Sequence, residues 1–255
     1  MLYGALVPAD RTAALPLTGE RTVPGVPEEN YWLRRHEIAY RHALPLVTGA
    51  RVLEVGCGEG YGTAMLATVA RDVLGVDYDA LTVAHAAATY PTVRFVRGNL
   101  AALPVESGAI AALASLQVIE HVWDHAEFLA ECRRVLCPDG LLLVTTPNRL
   151  TFSPGRDAPL NPFHTKEFAA TELASLISRC GFDVSSVLGL HAGPRLRALD
   201  DAHGGSFVGA QLATPPAEWS DGLRADVASV TVDDFDIDGR DVDAALDLVV
   251  LARCA

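Results

Sequence analysis

From residue 51 onward, short apolar runs alternate with stretches in which apolar side chains recur every three or four positions. The runs RVLEV, DVLGVD, VRFVRG, IAALASLQV and LLLVTTP read as strands, and residues 61–70, 79–88 and 124–136 read as helices between them. Such alternation predicts an α/β fold, with a parallel sheet and crossover helices. After Pro147 a loop containing Pro, Asn and Phe runs to His164, and a helix follows from about Thr165 to Cys180, where Gly181 stops it. Asp183–Leu190 and Leu246–Arg253 read as the last two strands. The more than fifty residues between them carry helical patterns near 194–203 and 216–228, an insertion expected to lie as a lid over the carboxyl ends of the strands. At the other end, the first thirty residues are rich in Pro and Gly and read as irregular, and residues 28–46 read as a helix of unusually polar and aromatic character. The expected division is therefore 1–48 as an irregular segment and covering helix, 49–190 as the core, 191–243 as the insertion and 244–255 as the last strand.

The first strand runs straight into Gly56, Gly58, Gly60 and Gly62 in the stretch LEVGCGEGYG. Bare backbone at a strand-to-helix turn lets a ligand approach the main chain, at the edge where α/β sheets bind ligands. A pyrophosphate fingerprint requires G-x-G-x-x-G or A. Counting from Gly56 puts Tyr61 at the third glycine, and counting from Gly58 puts Thr63 there, so both registers fail. Glu54 leads the glycines, and a carboxylate there favours a ligand carrying positive charge. The second strand ends in Asp77, an acceptor for both hydroxyls of a ribose. The third ends in Asn99 and Leu100, an amide suited to an adenine edge beside an apolar neighbour. Three successive strand ends thus describe an adenosine site without a pyrophosphate.

Composition narrows the picture by exclusion. A net charge of −12 and a pI near 5.0 oppose an extended nucleic-acid surface. No apolar window is long enough to span a membrane and the start lacks a secretory pattern, so a cytoplasmic protein without membrane attachment is expected. The five cysteines are scattered, without a C-x-x-C pair, and read as reduced thiols. Whether the chain is a monomer or a homodimer is left open by the sequence.

The motif Glu54-x-Gly56-x-Gly58-x-Gly60, with Asp77, Asn99, the segment Gln117–Val122, the Cys137–Gly140 turn and Thr146–Asn148, resembles a class I S-adenosylmethionine-dependent methyltransferase over about residues 50–190. The resemblance implies a Rossmann-like fold: a mostly parallel seven-stranded sheet, helices on both faces, and the insertion between the last two strands. It implies S-adenosylmethionine as cofactor and S-adenosylhomocysteine as product. Gly56 and Gly58 would pass the methionine portion, Asp77 would bind the ribose, and Asn99 with Leu100 would border the adenine; Glu54, Cys57, Tyr78 and Gln117 are further expected cofactor contacts. Asn99 stands where the family more often has Asp. Tyr31 and Arg35, on the N-terminal helix, would meet the cofactor's carboxylate.

Methyl transfer needs an acceptor aligned with the sulfonium and, for a hydroxyl, a base for its proton. His121, after the fourth strand and beside Glu120, is the first candidate because its ordinary pKa lies near neutrality. His164 is the second and His125 the third, and Glu120 is counted with His121 among the catalytic candidates. Some ubiquinone-biosynthesis O-methyltransferases carry Glu-x-x-Glu-His, a divalent-metal set. The first acid is Gln117 in this chain, so no metal is expected there. Asp234-Phe-Asp236-Ile-Asp238-Gly239 begins like a calcium loop, but its twelfth position is Ala245 rather than Glu, so it reads as a solvated acidic loop.

The segments Leu17–Thr22, Glu29–Trp32, Gly58–Gly62, Ile119–Asp124, Phe152–Asp157, Asn161–His164 and His203–Ser206 resemble actinobacterial, especially mycobacterial, methyltransferases associated with methylglucose lipopolysaccharides. That resemblance implies a carbohydrate hydroxyl as acceptor. Trp32, Trp123, Phe152, Phe163 and Arg156 are the candidate substrate contacts, as aromatic platforms and a polar fork. The competing readings are a small aromatic or quinone-type acceptor and an adenosine-binding module that transfers nothing.

Overall fold

The computed structural model describes residues 22–255. The Leu17–Thr22 segment lies outside them except for Thr22, and so does most of the N-terminal stretch read as irregular. Among these residues eight strands form one sheet: β1 Arg51–Val55, β2 Asp72–Asp77, β3 Arg94–Arg97, β4 Ile110–Leu116, β5 Leu136–Pro147, β6 Phe182–Ala192, β7 Phe235–Asp238 and β8 Asp247–Cys254. Among the described residues nine α-helices accompany them: α1 Asn30–Val47, α2 Tyr61–Ala67, α3 Ala80–Thr89, α4 His125–Val135, α5 Arg149–Phe152, α6 Ala170–Arg179, α7 Pro194–Ala202, α8 Phe207–Ala213 and α9 Asp221–Ser229. The strand order is β3-β2-β1-β4-β5-β8-β6-β7. The pairs from β3 to β5 are parallel, and those joining β5, β8, β6 and β7 are antiparallel. The chain changes direction of winding between β1 and β4, which opens a crevice at the carboxyl ends of those strands.

Alternation along the strands splits the core in two. Val52, Ala112, Ala114, Leu141 and Leu143 face α1 and α2, whereas Leu53, Val55, Leu113, Leu142 and Val144 face α4 and α6. The Cys137–Gly140 segment, expected as a turn before a strand, is a bulged part of β5, with Asp139 in left-handed conformation at φ 61°. The helix expected from Thr165 starts at Ala170, because residues 165–168 are held extended. The Thr165 N–H and hydroxyl donate to the Glu120 and Val122 carbonyls, and Phe168 bridges to Asn148.

The insertion departs most from expectation. It contributes an eighth strand, β7, so the sheet exceeds the seven strands expected. The stretch read as a solvated acidic loop is that strand and the turn before it. Asp234 is buried, accepts the Thr231 N–H and pairs with Arg195 at 2.5 Å. The apolar side chains of the insertion, Leu196, Phe207, Trp219, Leu223, Val227 and Phe235, join the cluster that contains Tyr31 and Tyr40 of α1. It therefore packs behind α1, and Asn30 ties the two by donating to the Val227 and Val230 carbonyls.

Helix α1 is pinned to the sheet by charge. Arg35 is buried and forks onto Asp247 with two hydrogen bonds of 2.7 Å, while its second amino group also reaches the Leu246 carbonyl at 2.9 Å. Both partners are almost fully buried, so removing one strands the other's charge in the core. Asp247→Asn should lower unfolding free energy by about 3 kcal/mol, measured by urea titration; a loss below about 1 kcal/mol would show that water reaches the pair.

Candidate functional site

A cavity of about 700 Å³ opens where β1 and β4 diverge. The turn after β1 forms its floor. Gly56 takes φ 68° and Gly58 φ 50°, both in the region that side chains avoid. A Cβ on Gly56 would lie 2.5 Å from Val118 Cγ2, so that glycine lets two loops meet. At Gly58 nothing lies within 4 Å of that position, and bare backbone faces the open cavity. Asp77 fixes the turn: Oδ2 accepts the Gly58 N–H and Oδ1 the Asp79 N–H, each at 3.0 Å. Each oxygen retains acceptor capacity for a further donor.

Cys57, Tyr78, Asn99, Leu100, Gln117, His121, Trp123 and Phe163 line the same cavity. The expected residues from four strand ends are therefore together. Asn99 spends its side-chain oxygen on the Ala101 N–H, leaving its amide nitrogen as the remaining polar group. Gln117 sits at φ 58°, a strained conformation for a non-glycine residue, with its amide 3.4 Å from Thr145 Oγ1. Burial pushes the Cys57 thiol well above the ordinary thiol range. Trp123 is 89% exposed and Phe163 46%, both at the rim.

Other expected contacts lie elsewhere, each for a physical reason. Glu54 is buried behind the floor, where Tyr40 Oη donates at 2.6 Å to one oxygen and Thr63 Oγ1 donates to the other, so it faces no ligand. Arg35 is consumed by Asp247, and Tyr31 is buried among Trp32, Phe207 and Phe235, so neither reaches the cavity. Trp32 lines no part of it and packs instead against Tyr31 and the Arg35 guanidinium. In their place α1 presents His36, Ala39 and Tyr40, joined by Thr22 and Tyr61. Thr22 Oγ1 lies 3.3 Å from Tyr61 Oη and 3.4 Å from His36 Nδ1. Burial pushes His36 down to about 4, so it is neutral at physiological pH. Residues at 36, 39 and 40 follow helical spacing from the expected Tyr31–Arg35 face; only the rotation of α1, set by Asp247, was hidden. The insertion adds no residue to the cavity wall, which corrects the expectation of a lid over it.

The histidines separate by their hydrogen bonds. His121 Nδ1 lies 3.0 Å from the Phe163 carbonyl, which can only accept, so Nδ1 carries the proton and the lone pair resides on Nε2. His164 is engaged at both nitrogens. Nδ1 lies 2.8 Å from the buried Glu167 carboxylate, and Nε2 lies 3.1 Å from Asn161 Nδ2, whose partner oxygen takes the Phe163 N–H. Its ring also packs on Phe152 and edge-on against His121, and it does not line the cavity. His125 Nε2 donates to the Ile119 carbonyl and is also off the wall. Glu120 is buried and receives the Thr146 hydroxyl at 2.9 Å, so the structure withdraws it from direct contact with a substrate. Donor atoms of Glu120, His121 and His164 lie within 4.8 Å of one another, a spacing that can hold a cation, but His164's lone pair is already used by Asn161.

A second, polar cavity of about 350 Å³ lies beyond Thr165, which borders both. Arg149, Arg156 and Lys166 face Asp157, Glu167 and Glu172 around it, so its charges balance. Arg156 therefore belongs to this neighbour and not to the main cavity; Phe152 lines neither.

The residues present fit an adenosylated amino acid: open backbone at Gly58, a carboxylate with spare acceptor capacity, an amide donor, and polar groups from Thr22, His36 and Tyr61. Comparison with known proteins agrees. A family model described as a methyltransferase domain matches residues 53–144. The chain is 54% identical over 245 residues to the "Probable S-adenosylmethionine-dependent methyltransferase" of Mycolicibacterium smegmatis, covering 94% of this chain and 95% of that one. To the protein of the same description in Mycobacterium tuberculosis it is 51% identical over 246 residues, covering 94% and 90%. The fold is similar to that of an S-adenosylmethionine-dependent methyltransferase from Mesorhizobium loti, with a TM-score of 0.56 at 19% identity over 86% of this chain and 97% of that one.

Burial pushes Glu54 up to about 7, against the hydrogen bonds from Thr63 and Tyr40, which lower it. Between the ordinary carboxylate range and that value the folded chain keeps a proton that the unfolded chain releases, so this group removes stability as pH rises through the window. The share is at most about 3 kcal/mol. Glu54→Gln should therefore gain in melting temperature relative to the unsubstituted protein between pH ~5 and pH ~8. A difference independent of pH would mean that Glu54 is ionised throughout.

Proposed function

The chain belongs to the S-adenosylmethionine-dependent methyltransferases, and from that membership we propose that it methylates a hydroxyl of a carbohydrate, with His121 as general base. The bound cofactor supplies an electrophilic methyl on sulfur and leaves as S-adenosylhomocysteine. Everything else falls to this chain's residues. Asp77 takes the ribose hydroxyls and holds the Gly58 turn in place. Asn99 and Leu100 border the adenine. Thr22, His36 and Tyr61 supply neutral hydrogen-bonding groups at the α1 side of the cavity. Ala39, Leu116, Val118 and Phe128 keep water from the reacting atoms.

The observation that carries the assignment of His121 is its tautomer. With Nδ1–H bound to the Phe163 carbonyl, Nε2 is the nitrogen that can take the acceptor's proton as the oxygen–carbon bond forms and the sulfur–carbon bond breaks. His164 has both nitrogens committed and stands behind His121. Support for a carbohydrate is of two kinds. Trp123 and Phe163 place aromatic faces at the rim, and the adjoining cavity balances three cationic side chains against three carboxylates, surroundings that suit a neutral polyhydroxylated compound better than an ion. The resemblance to methyltransferases of methylated polysaccharides points the same way.

Three experiments test this reading. Incubation with radiolabelled S-adenosylmethionine and a panel of gluco- and manno-oligosaccharides beside simple catechols should place label in a saccharide; label in the catechols alone would move the acceptor to the small aromatic class. Asp77→Ala should abolish measurable S-adenosylhomocysteine binding by calorimetry, and unchanged affinity would remove Asp77 from the site. His121→Gln should lower kcat by roughly 10²- to 10⁴-fold with cofactor affinity preserved, whereas a near-normal rate across pH would remove it as the base.

A further inference from the structure

We infer that Glu167 is a positioning residue for methyl transfer, fixing the tautomer of His121 through His164 and the Asn161–His164 loop. The inference rests on reading His121 as the base. Glu167 touches no part of the main cavity, yet it is a carboxylate buried to 2% exposure with a histidine as its hydrogen-bond partner. Among the described residues its Oε2 has no hydrogen-bond partner. Burying such a group costs free energy that an apolar side chain would not. An ionised carboxylate differs from other polar groups in one respect relevant to its neighbour: it only accepts.

From that property a sequence of hydrogen bonds follows with every direction determined. Glu167 Oε1 obliges His164 to carry its proton on Nδ1, at 2.8 Å. The lone pair is thereby on His164 Nε2, where Asn161 donates its amide hydrogen at 3.1 Å. The Asn161 side-chain oxygen is turned to the Phe163 N–H at 3.0 Å, and the His164 N–H returns to the Asn161 carbonyl at 3.1 Å. These two bonds fix the peptides on either side of Phe163, including the one whose oxygen receives the His121 Nδ1 proton. The rings of His164 and His121 meet edge to face with centroids 4.9 Å apart, so the loop also sets His121's ring plane. Reversing the first hydrogen bond would put His164's lone pair on Nδ1 and leave Asn161 donating toward an N–H. The loop would then lose the order that holds the Phe163 carbonyl over His121.

The test reads imidazole tautomers directly, by long-range 1H–15N correlation on the 15N-labelled full chain at pH ~8, where free imidazole is neutral. In the unsubstituted protein both His121 and His164 should show protonated Nδ1. Glu167→Leu should move His164 toward mixed tautomers and lower the Nδ1–H to Nε2–H ratio of His121 by about fivefold, the scale of one hydrogen bond. Glu167→Gln, whose oxygen can still accept, should restore both. Asn161→Ala breaks the same relay at a loop position without altering Glu167, and should shift His121 similarly; it decides the matter if Glu167→Leu fails to fold. With an acceptor in hand, kcat of Asn161→Ala, whose side chain lines neither cavity, should fall with the His121 tautomer ratio while KM stays unchanged. An unaltered His121 spectrum in folded Glu167→Leu or Asn161→Ala would overturn the proposal. A shifted spectrum with full activity in His121→Gln would instead overturn the base assignment and leave the relay standing.

Discussion

A guanidinium held in the core by a carboxylate 212 residues away sets the position of everything around the cavity. Arg35 and Asp247 are both too deeply buried to be charged alone, so α1 cannot slide or rotate on the sheet without stranding one of them. That constraint decides which face of α1 looks inward. It turns Tyr31 and Arg35 into structural residues and presents His36, Ala39 and Tyr40 to the ligand cavity. It also gives the insertion its seat, because Phe207, Trp219 and Leu223 pack against the outer side of the same helix. The last strand, which begins with Asp247, is thereby joined to the first helix through one fork of hydrogen bonds.

The corner around His121 depends on a second constraint, in the loop between β5 and α6. Thr165 holds that loop to the main-chain oxygens of Glu120 and Val122, and Asn148 holds its beginning by donating to the carbonyls of Val242, Asp243 and Ala245. With both ends fixed, the Phe163 carbonyl becomes a stationary acceptor for His121. In the proposed reading, binding and chemistry thus fall on separate elements. Asp77 and the glycine turn belong to the parallel half of the sheet, whereas the histidine's orientation is imposed by a loop that returns from the antiparallel half.

Local signals in the chain carry the parallel half almost completely. Gly58 and Asp77 act through short-range geometry at strand ends, and a pattern of strand, glycine and acid is visible wherever it occurs. Glu54 resembles those residues in sequence and differs in fate, because its partners Tyr40 and Thr63 lie on two helices whose rotation no local pattern specifies. Arg35 is hidden for the same reason, its partner being the first residue of the final strand. The eighth strand was obscured by acidic residues: Asp234, Asp236 and Asp238 look solvated, yet β7 pairs as an edge strand with β6 and Asp234 turns inward to Arg195. Glu167 gave no sequence signal beyond its place three residues after His164, a spacing that also occurs without contact. Asn161 and Phe163 belonged to a recognised segment, but the role of Phe163 depends on its carbonyl oxygen, which any residue would supply.

In the proposed mechanism the cofactor and His121 share one cavity, with the histidine's lone pair toward the transferring methyl. A crystal structure with S-adenosylhomocysteine bound tests this most directly. The account predicts ribose hydroxyls on Asp77, the adenine beside Asn99 and Leu100, and the thioether sulfur facing His121 Nε2 across a gap wide enough for an acceptor hydroxyl and a methyl group. A ribose away from Asp77, or a sulfur screened from His121 by the cofactor's own adenosine, would contradict it.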